Sequence, residues 1–494
     1  MLLGVLLLLQ TAVPPPVIDT VIVVSANVFA GEDDAPPFVA RLANSLHIRT
    51  RPWVIRRRVL LRPGDPYDEA LAEESERVLR SLGVFRLVRV DTVRRTPGGP
   101  LALRVITADG WSTQPQASYT TAGGDEAWEV GFVERNFLGT ATELAVGYGR
   151  NPDRSRLDFR FVSPQFFSRR SMLMLQHGDY SDGRKTAWAF GVPFRETVAR
   201  RSVETYGESV RQRVLQFRDG VLADSSRRRM LRIGLAGGVA PQATPRDYVR
   251  LWANAEWRRE NFAATDTSPF PYSTFTTVRA GISVGRVRFR VLQHLNSYAR
   301  REDVDLSPAL RFGLVVQSGV GYEASGQVSA IWRRGFAALR IQANGLDSTR
   351  TRGELTIVSQ DVRRHTLIAH LEAGTLYRPK PGAEFDLWVE QRGPRLFGVH
   401  DFMGNRMVWL ALEDRILLVD NIMGLMAMGV APFLDYGGAW YGDATRLSGN
   451  VGIALRVGPT RAVRGDAAEL AFGYRFGAGV DKRWGLTLRK GVVF

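Results

Sequence analysis

Few residues in this chain have the types and spacing that covalent chemistry requires. Ser283 lies in GISVG, from Gly281 to Gly285, which matches the spacing of a nucleophile elbow. An elbow needs a helix directly after its serine, and here VRFRVLQHL continues an apolar-polar alternation. The stretch from Gly178 to Lys185 nearly spells a phosphate-binding loop, but Arg184 interrupts the Gly-Lys step, so it reads as a hairpin turn. The six histidines, His47, His177, His294, His365, His370 and His400, show no metal-ligand spacing. Cysteine is absent, which removes disulfides and thiolate metal sites. The reading is of a chain that is not an enzyme and carries no cofactor and no metal, so its remaining chemistry is that of paired charges.

Those charges lie on segments that alternate apolar with polar from about residue 111 onward. Leu144, Val146 and Tyr148 stand against Glu143, Ala145 and Gly147; Leu157, Phe159 and Phe161 stand against Asp158 and Arg160. Leu231, Ile233 and Leu235 repeat the pattern, as do Leu470, Phe472, Tyr474 and Phe476. Such a segment can face lipid with one side and water with the other, as a membrane-spanning β-barrel requires. Soluble sandwiches alternate in the same way, and the two chain ends favour the barrel. The opening MLLGVLLLLQTAVPPP, residues 1–16, reads as an export signal with cleavage near Ala12. No other apolar run reaches the ~20 residues of a spanning helix. The net charge of +16 comes from arginine, with lysine only at Lys185, Lys380, Lys482 and Lys490. Spread along the chain, it fits a wet lumen and anionic head groups at the rims better than nucleic acid, which asks for a basic face.

The first hundred residues read as a separate module: an apolar strand at 18–28, an amphipathic helix with Phe38, Leu42 and Leu46 on one stripe, a periodic helix from Asp68 to Leu82 capped by Gly83, and two strands from Phe85 and Leu101. Its run VIRRRVLLRPGDPYDEALAEESERVLRSLGVFRLVRVDTV carries a basic lead (Arg56 to Arg58), a Pro63-Gly64-Asp65 turn and a Leu82-Gly83-Val84-Phe85 step. These features resemble a POTRA domain. In that family such domains precede a 16-stranded outer-membrane barrel of the BamA and TamA type. The resemblance implies a POTRA domain at 17–110 in the periplasm and a barrel of about 16 antiparallel strands at 111–494, mainly β overall.

Landmarks in the second part resemble the same family. GFVERNFLGTATELAVGY, from Gly131, is similar to its opening hairpin, and VSPQFF, from Val162, to the turn closing its third strand. PFLDYG places Phe433, Asp435 and Gly437 in its F-x-D-x-G spacing, with Asp435 facing the lumen and Met426, Met428, Val430 and Leu434 facing outward. A lumenal carboxylate without a cation is costly. The family supplies an arginine from a long loop, but here Phe397, Gly398 and Val399 stand where Arg-Gly-aromatic is expected. Arg395 or Arg392 could serve, or Arg415, which shares a face with Glu413. Five strands are expected after this loop and eleven before it. The resemblance further implies a lateral seam between a first strand at Trp128 to Phe137 and a last at Trp484 to Phe494, weakened by Gly485 and Gly491, with Lys490 interrupting its outer face.

Two classes of function follow. One is insertion of client barrels or passage of polypeptide across the outer membrane, with unfolded outer-membrane or secreted clients, periplasmic chaperones or accessory proteins, and outer-membrane lipid as partners. The other is a porin-like solute channel. A two-partner-secretion transporter is a variant of the first, although such transporters usually carry two POTRA domains and a plug helix.

Overall fold

The computed structural model describes residues 15–490 except 30–34, 95, 122–125, 219, 264–272, 299–300, 389–392, 443–444, 464–465 and 479–482. Most of the expected export signal therefore lies outside the described residues, together with Arg392, Gly491 and Phe494.

The module runs β1 (Ile18–Ala26), α1 (Pro37–Leu46), α2 (Pro52–Arg56), α3 (Glu69–Ser81), β2 (Phe85–Arg94) and β3 (Leu101–Asp109). Its sheet has the order β1-β3-β2, with β1 parallel and β2 antiparallel to the central β3. Asp68 starts α3 by accepting the amide hydrogens of Ala70 and Leu71. Gly83, at φ +66°, ends it in the left-handed conformation that glycine adopts freely. Between these signals α3 buries Ala72 and Leu79 in a core with Ile18, Ile55, Leu61, Val84 and Leu103. One difference from the sequence reading is α2, which runs into the basic lead and ends at its first residue, Arg56. Pro52 stands in its first turn, where a missing N–H costs nothing, and Val54 and Ile55 are drawn into the core. The stripe of α1 points away from that core, leaving Phe38, Leu42 and Leu46 exposed.

From Thr113 onward the chain forms a closed antiparallel barrel of twenty strands, not sixteen. The five strands after the long loop are present, from Arg406–Ile422 to Trp484–Lys490. The excess lies upstream, where alternating segments that could have been loop hairpins each take their own place in the wall. The first strand, β4 (Thr113–Thr120), reads TQPQASYT and has no apolar alternation to announce it. The segment expected to open the barrel is thus the second strand, β5 (Ala127–Phe137). The Asn-Phe-Leu-Gly turn links the second and third strands, and VSPQFF follows the fourth. Outward positions such as Phe132, Val146, Phe159, Ile233, Phe312, Ile341, Ile453 and Phe472 are exposed and apolar, the surface that lipid requires.

Two segments leave the wall and enter the lumen. Residues 378–388 and 393–405 fold in from one mouth, braced by a short pairing of Phe385–Asp386 with Met403–Gly404. From the opposite mouth comes a hairpin, Phe289–Gln293 paired with Arg301–Asp305, built on the very VRFRVLQHL run that reads as one more wall strand. The module docks at this second mouth. Asn136 Nδ2 donates to Ile48 O (3.0 Å), Gln165 Nε2 to Val54 O (3.1 Å) and the Thr197 amide to Glu74 Oε1 (2.8 Å). Arg80 of α3 grips Asp303 of the hairpin with two hydrogen bonds of 2.6 and 2.9 Å.

Candidate functional site

The last five strands set one inward row each, and their register brings those rows together. On Arg406–Ile422 the inward residues include Ala411, Glu413 and Arg415; on Met426–Trp440 they are Ala431, Phe433 and Asp435. Ser448–Pro459 contributes Asn450, Gly452, Ala454 and Arg456, Ala468–Gly477 contributes Glu469, Ala471, Gly473 and Arg475, and Trp484–Lys490 contributes Gly485, Thr487 and Arg489. Gly452, Gly473 and Gly485 are cross-strand neighbours and make a smooth trough. A Cβ on Gly452 would meet the Phe433 ring at 2.8 Å, and one on Gly473 or Gly485 would press on Leu396 at 3.0 or 3.2 Å. Gly485, read from sequence as a weak point of the last strand, is therefore the space in which the lumenal loop lies.

Arg395 of that loop is fully buried and meets three carboxylates. Its Nη2 lies 2.6 Å from Glu413 Oε2, its Nη1 3.0 Å from Asp435 Oδ1 and its Nε 2.8 Å from Glu469 Oε1. Its backbone N–H donates to Asp435 Oδ2 (2.9 Å), and its guanidinium stacks 4.4 Å from the centre of the Phe433 ring. The planar fork of arginine suits this use, because its N–H groups diverge toward several oxygens at once. Glu413 is shared: Arg415 Nε approaches its Oε1 at 2.8 Å, and Arg415 also donates to Leu295 O at the tip of the opposing hairpin. The two lumenal segments thus meet through one carboxylate. On the seam side, Thr487 Oγ1 donates to Arg395 O (3.0 Å) and lies 3.2 Å from Thr120 Oγ1 on β4.

Of the residues singled out from sequence, Asp435, Phe433, Arg395, Glu413 and Arg415 come together, while Arg415 pairs with Glu413 and not with Asp435. Gly398 lies further along the loop, donating its amide to Asp401 Oδ2 (2.9 Å). Gly437 marks a close approach of strands, where a Cβ would stand 2.2 Å from Val408 O. Glu469, Arg456, Arg489 and Thr487 were not singled out. Glu469 does fall on the polar side of the Leu470-Phe472 alternation, but only strand register reveals that it points at Arg395.

The seam differs from expectation in its partner. The last strand pairs with β4 through Thr487↔Thr120 and Leu488↔Tyr119, and not with the segment of Trp128 and Phe137. Its neighbour on the other side is matched over seven residue pairs, from Ala468↔Lys490 to Tyr474↔Trp484, where the Trp484 ring stacks on Phe472 at 5.3 Å. The loop also carries His400, whose Nδ1 lies 2.7 Å from Asp386 and Nε2 2.8 Å from Asp153 in the 151–154 turn, with its ring stacked on Phe217 at 3.9 Å. Burial alone would lower the pKa of this imidazole, but the two hydrogen-bonded aspartates raise it to about 9.

No protein-family model matches the chain, and no curated protein matches it. Among solved structures it is similar to BamA from Haemophilus ducreyi lacking POTRA domains 1–3, at 11% identity, covering 94% of this chain and 84% of that one with a TM-score of 0.39. It is also similar to CdiB from Acinetobacter baumannii (11% identity, 96% and 73% covered, TM-score 0.44) and to the FrpB iron transporter from Neisseria meningitidis (8%, 82% and 86%, 0.39). At these identities and scores the likeness extends to large β-barrel architecture and no further.

Two outcomes follow from the site. Arg395→Met leaves three buried carboxylates without their common cation, a loss of roughly 3–5 kcal/mol. The variant is expected to expose the 378–405 loop to protease while the wall stays folded; a loop as protected as in the parent chain would show that the cluster does not hold it. The His400 contribution carries the sign of a raised pKa: it is complete below about 6.5, declines as pH rises through about 9, and is worth roughly 3 kcal/mol at most. The stability gap between the parent chain and His400→Phe should therefore be widest near pH 6 and narrow as pH rises toward 10. A gap that does not change over that range contradicts the assignment.

Proposed function

We propose that this chain is an outer-membrane β-barrel protein that assists the insertion of other barrels or the passage of polypeptide across that membrane, with residues 17–110 acting as a POTRA-type domain in the periplasm. The observation that carries the proposal is the combination of a lumen entered from both mouths with a wall whose closure, among the described residues, is registered on two residue pairs and one further main-chain bond from Thr121 to Leu486. A solute conduit needs an open bore. A device that handles polypeptide strands needs a place where a strand can be added, and the seam and the module both offer one.

In the module, β2 lies at the sheet edge, and edge strands present unpaired main-chain groups to a passing chain. Val90 N–H on β2 is taken by Glu76 Oε1 of α3 at 2.7 Å, a side-chain cap that a client strand can displace. Main-chain pairing of this kind is tolerant of sequence, which suits unfolded outer-membrane or secreted clients delivered by periplasmic chaperones or accessory proteins. A porin-like channel is the competing reading, and it requires both lumenal segments to withdraw.

The seam provides the test. A Thr120→Cys/Thr487→Cys pair replaces hydroxyls 3.2 Å apart in a chain with no cysteine of its own. When oxidised, it is expected to leave the barrel folded while abolishing assembly of client barrels into liposomes, with activity restored by reductant. Full activity in the oxidised state would show that the seam does not open for clients and put the channel reading first.

A further inference from the structure

The buried cluster does not balance. Arg395, Arg415, Arg456 and Arg489 face Glu413, Asp435 and Glu469, four guanidinium groups against three carboxylates, all buried. Arg475 adds nothing to the sum, because it has its own partner in Asp401. The weakest match is Arg456, which is 2% exposed. Its nearest carboxylate oxygen is Glu469 Oε2 at 4.0 Å, beyond hydrogen-bond range, and its Nε has no acceptor. An uncompensated charge at this depth is among the costliest features a protein interior can hold.

Arg456 and Arg415 form the inner end of a cavity of about 340 Å³ between the lumenal hairpin and the wall, on the module side. Four more arginines line it: Arg290, Arg334, Arg363 and Arg364. Among the described residues no carboxylate does. Arg290 is held in place by the carbonyl oxygens of Trp332, Arg333 and Gly335, and Arg364 by that of Leu418. Asp414 pairs with His365, Glu302 accepts from the amides of Asn296 and Ser297, and Asp361 accepts from Trp332 and Ser359 while its charge also reaches Arg290 and Arg334; none of the three lines the cavity. The outer arginines, Arg334, Arg363 and Arg364, are exposed at the entrance. The result is a funnel, with solvent-exposed cations to attract an anion at the rim and desolvated ones to hold it at the base.

We propose that this cavity binds a phosphate-class oxyanion, which supplies the missing negative charge and completes the cluster that pins the lumenal loop and hairpin. The phosphate can be that of a free anion or of a lipid head group, and both present the same oxygens to guanidinium forks. The ligand then acts as a fourth carboxylate would, so the state of the lumen depends on its concentration.

The test uses the full chain in a neutral detergent at constant ionic strength, with inorganic pyrophosphate and dihexanoyl phosphatidylglycerol as separate probes. At least one should raise the thermal midpoint in a saturable way, and the probe that does so identifies the source. Arg334→Ala/Arg363→Ala, confined to exposed positions, should weaken half-saturation roughly tenfold. Arg456→Met should raise the midpoint of the unliganded chain, by removing the unmatched cation, and abolish the response to the probe. The proposal is overturned if neither probe shifts the midpoint, or if the shift survives intact in both variants.

Discussion

The interior of this barrel depends on the ion pairs of Glu413. One oxygen holds Arg395, and with it the loop entering from one mouth; the other holds Arg415, and with it the hairpin entering from the other. Removing a single partner from such a buried arrangement is far costlier than forming it was favourable, because the groups left behind keep their desolvation without their attraction. That asymmetry makes the cluster behave as a latch. It is either complete, with both lumenal segments seated, or costly enough to drive them out.

The latch is connected to both places where a strand could be received. Thr487 carries the carbonyl of Arg395 on one side and reaches Thr120 across the seam, so the loop and the closure of the wall share a hydrogen-bond chain. At the other end, Glu76 caps the edge amide of Val90 and binds Arg80, which in turn holds Asp303 of the hairpin. A strand that displaced Glu76 from the module edge would leave Arg80 with Asp303 alone, loosening one anchor of the segment that reaches Arg415. Module, hairpin, latch and seam thus form one contiguous set of charge and hydrogen-bond contacts, a route through which they can be coupled.

Much of this is legible in the sequence. Period-two alternation predicts the barrel because lipid and water impose opposite chemistry on its two faces, and the five strands expected after the loop are all found. Asp435 is identifiable because its neighbours Met426, Met428, Val430 and Leu434 place it on the lumenal face, and a carboxylate there needs a cation. The strand number is not legible. A hairpin that crosses the wall and one that rises beyond it carry the same local pattern, and β4 shows no pattern at all. The hairpin at 289–305 is hidden for a related reason, since VRFRVLQHL alternates as a wall strand does while pairing only with its own return strand. Glu469, Arg456 and Arg489 are distant in sequence from Arg395 and join it only through register, which no single-strand pattern encodes.

The claim on which the rest depends is that the charge cluster at Glu413 keeps the lumen closed. Ion conductance of the full chain in a planar lipid bilayer measures this directly, comparing the parent with Glu413→Gln, which preserves shape while removing the charge that both arginines share. The account predicts a parent that is closed for most of the recording and a variant that opens often to a conductance fitting a twenty-stranded bore. A parent that conducts steadily at that level, or a variant as quiet as the parent, would contradict it.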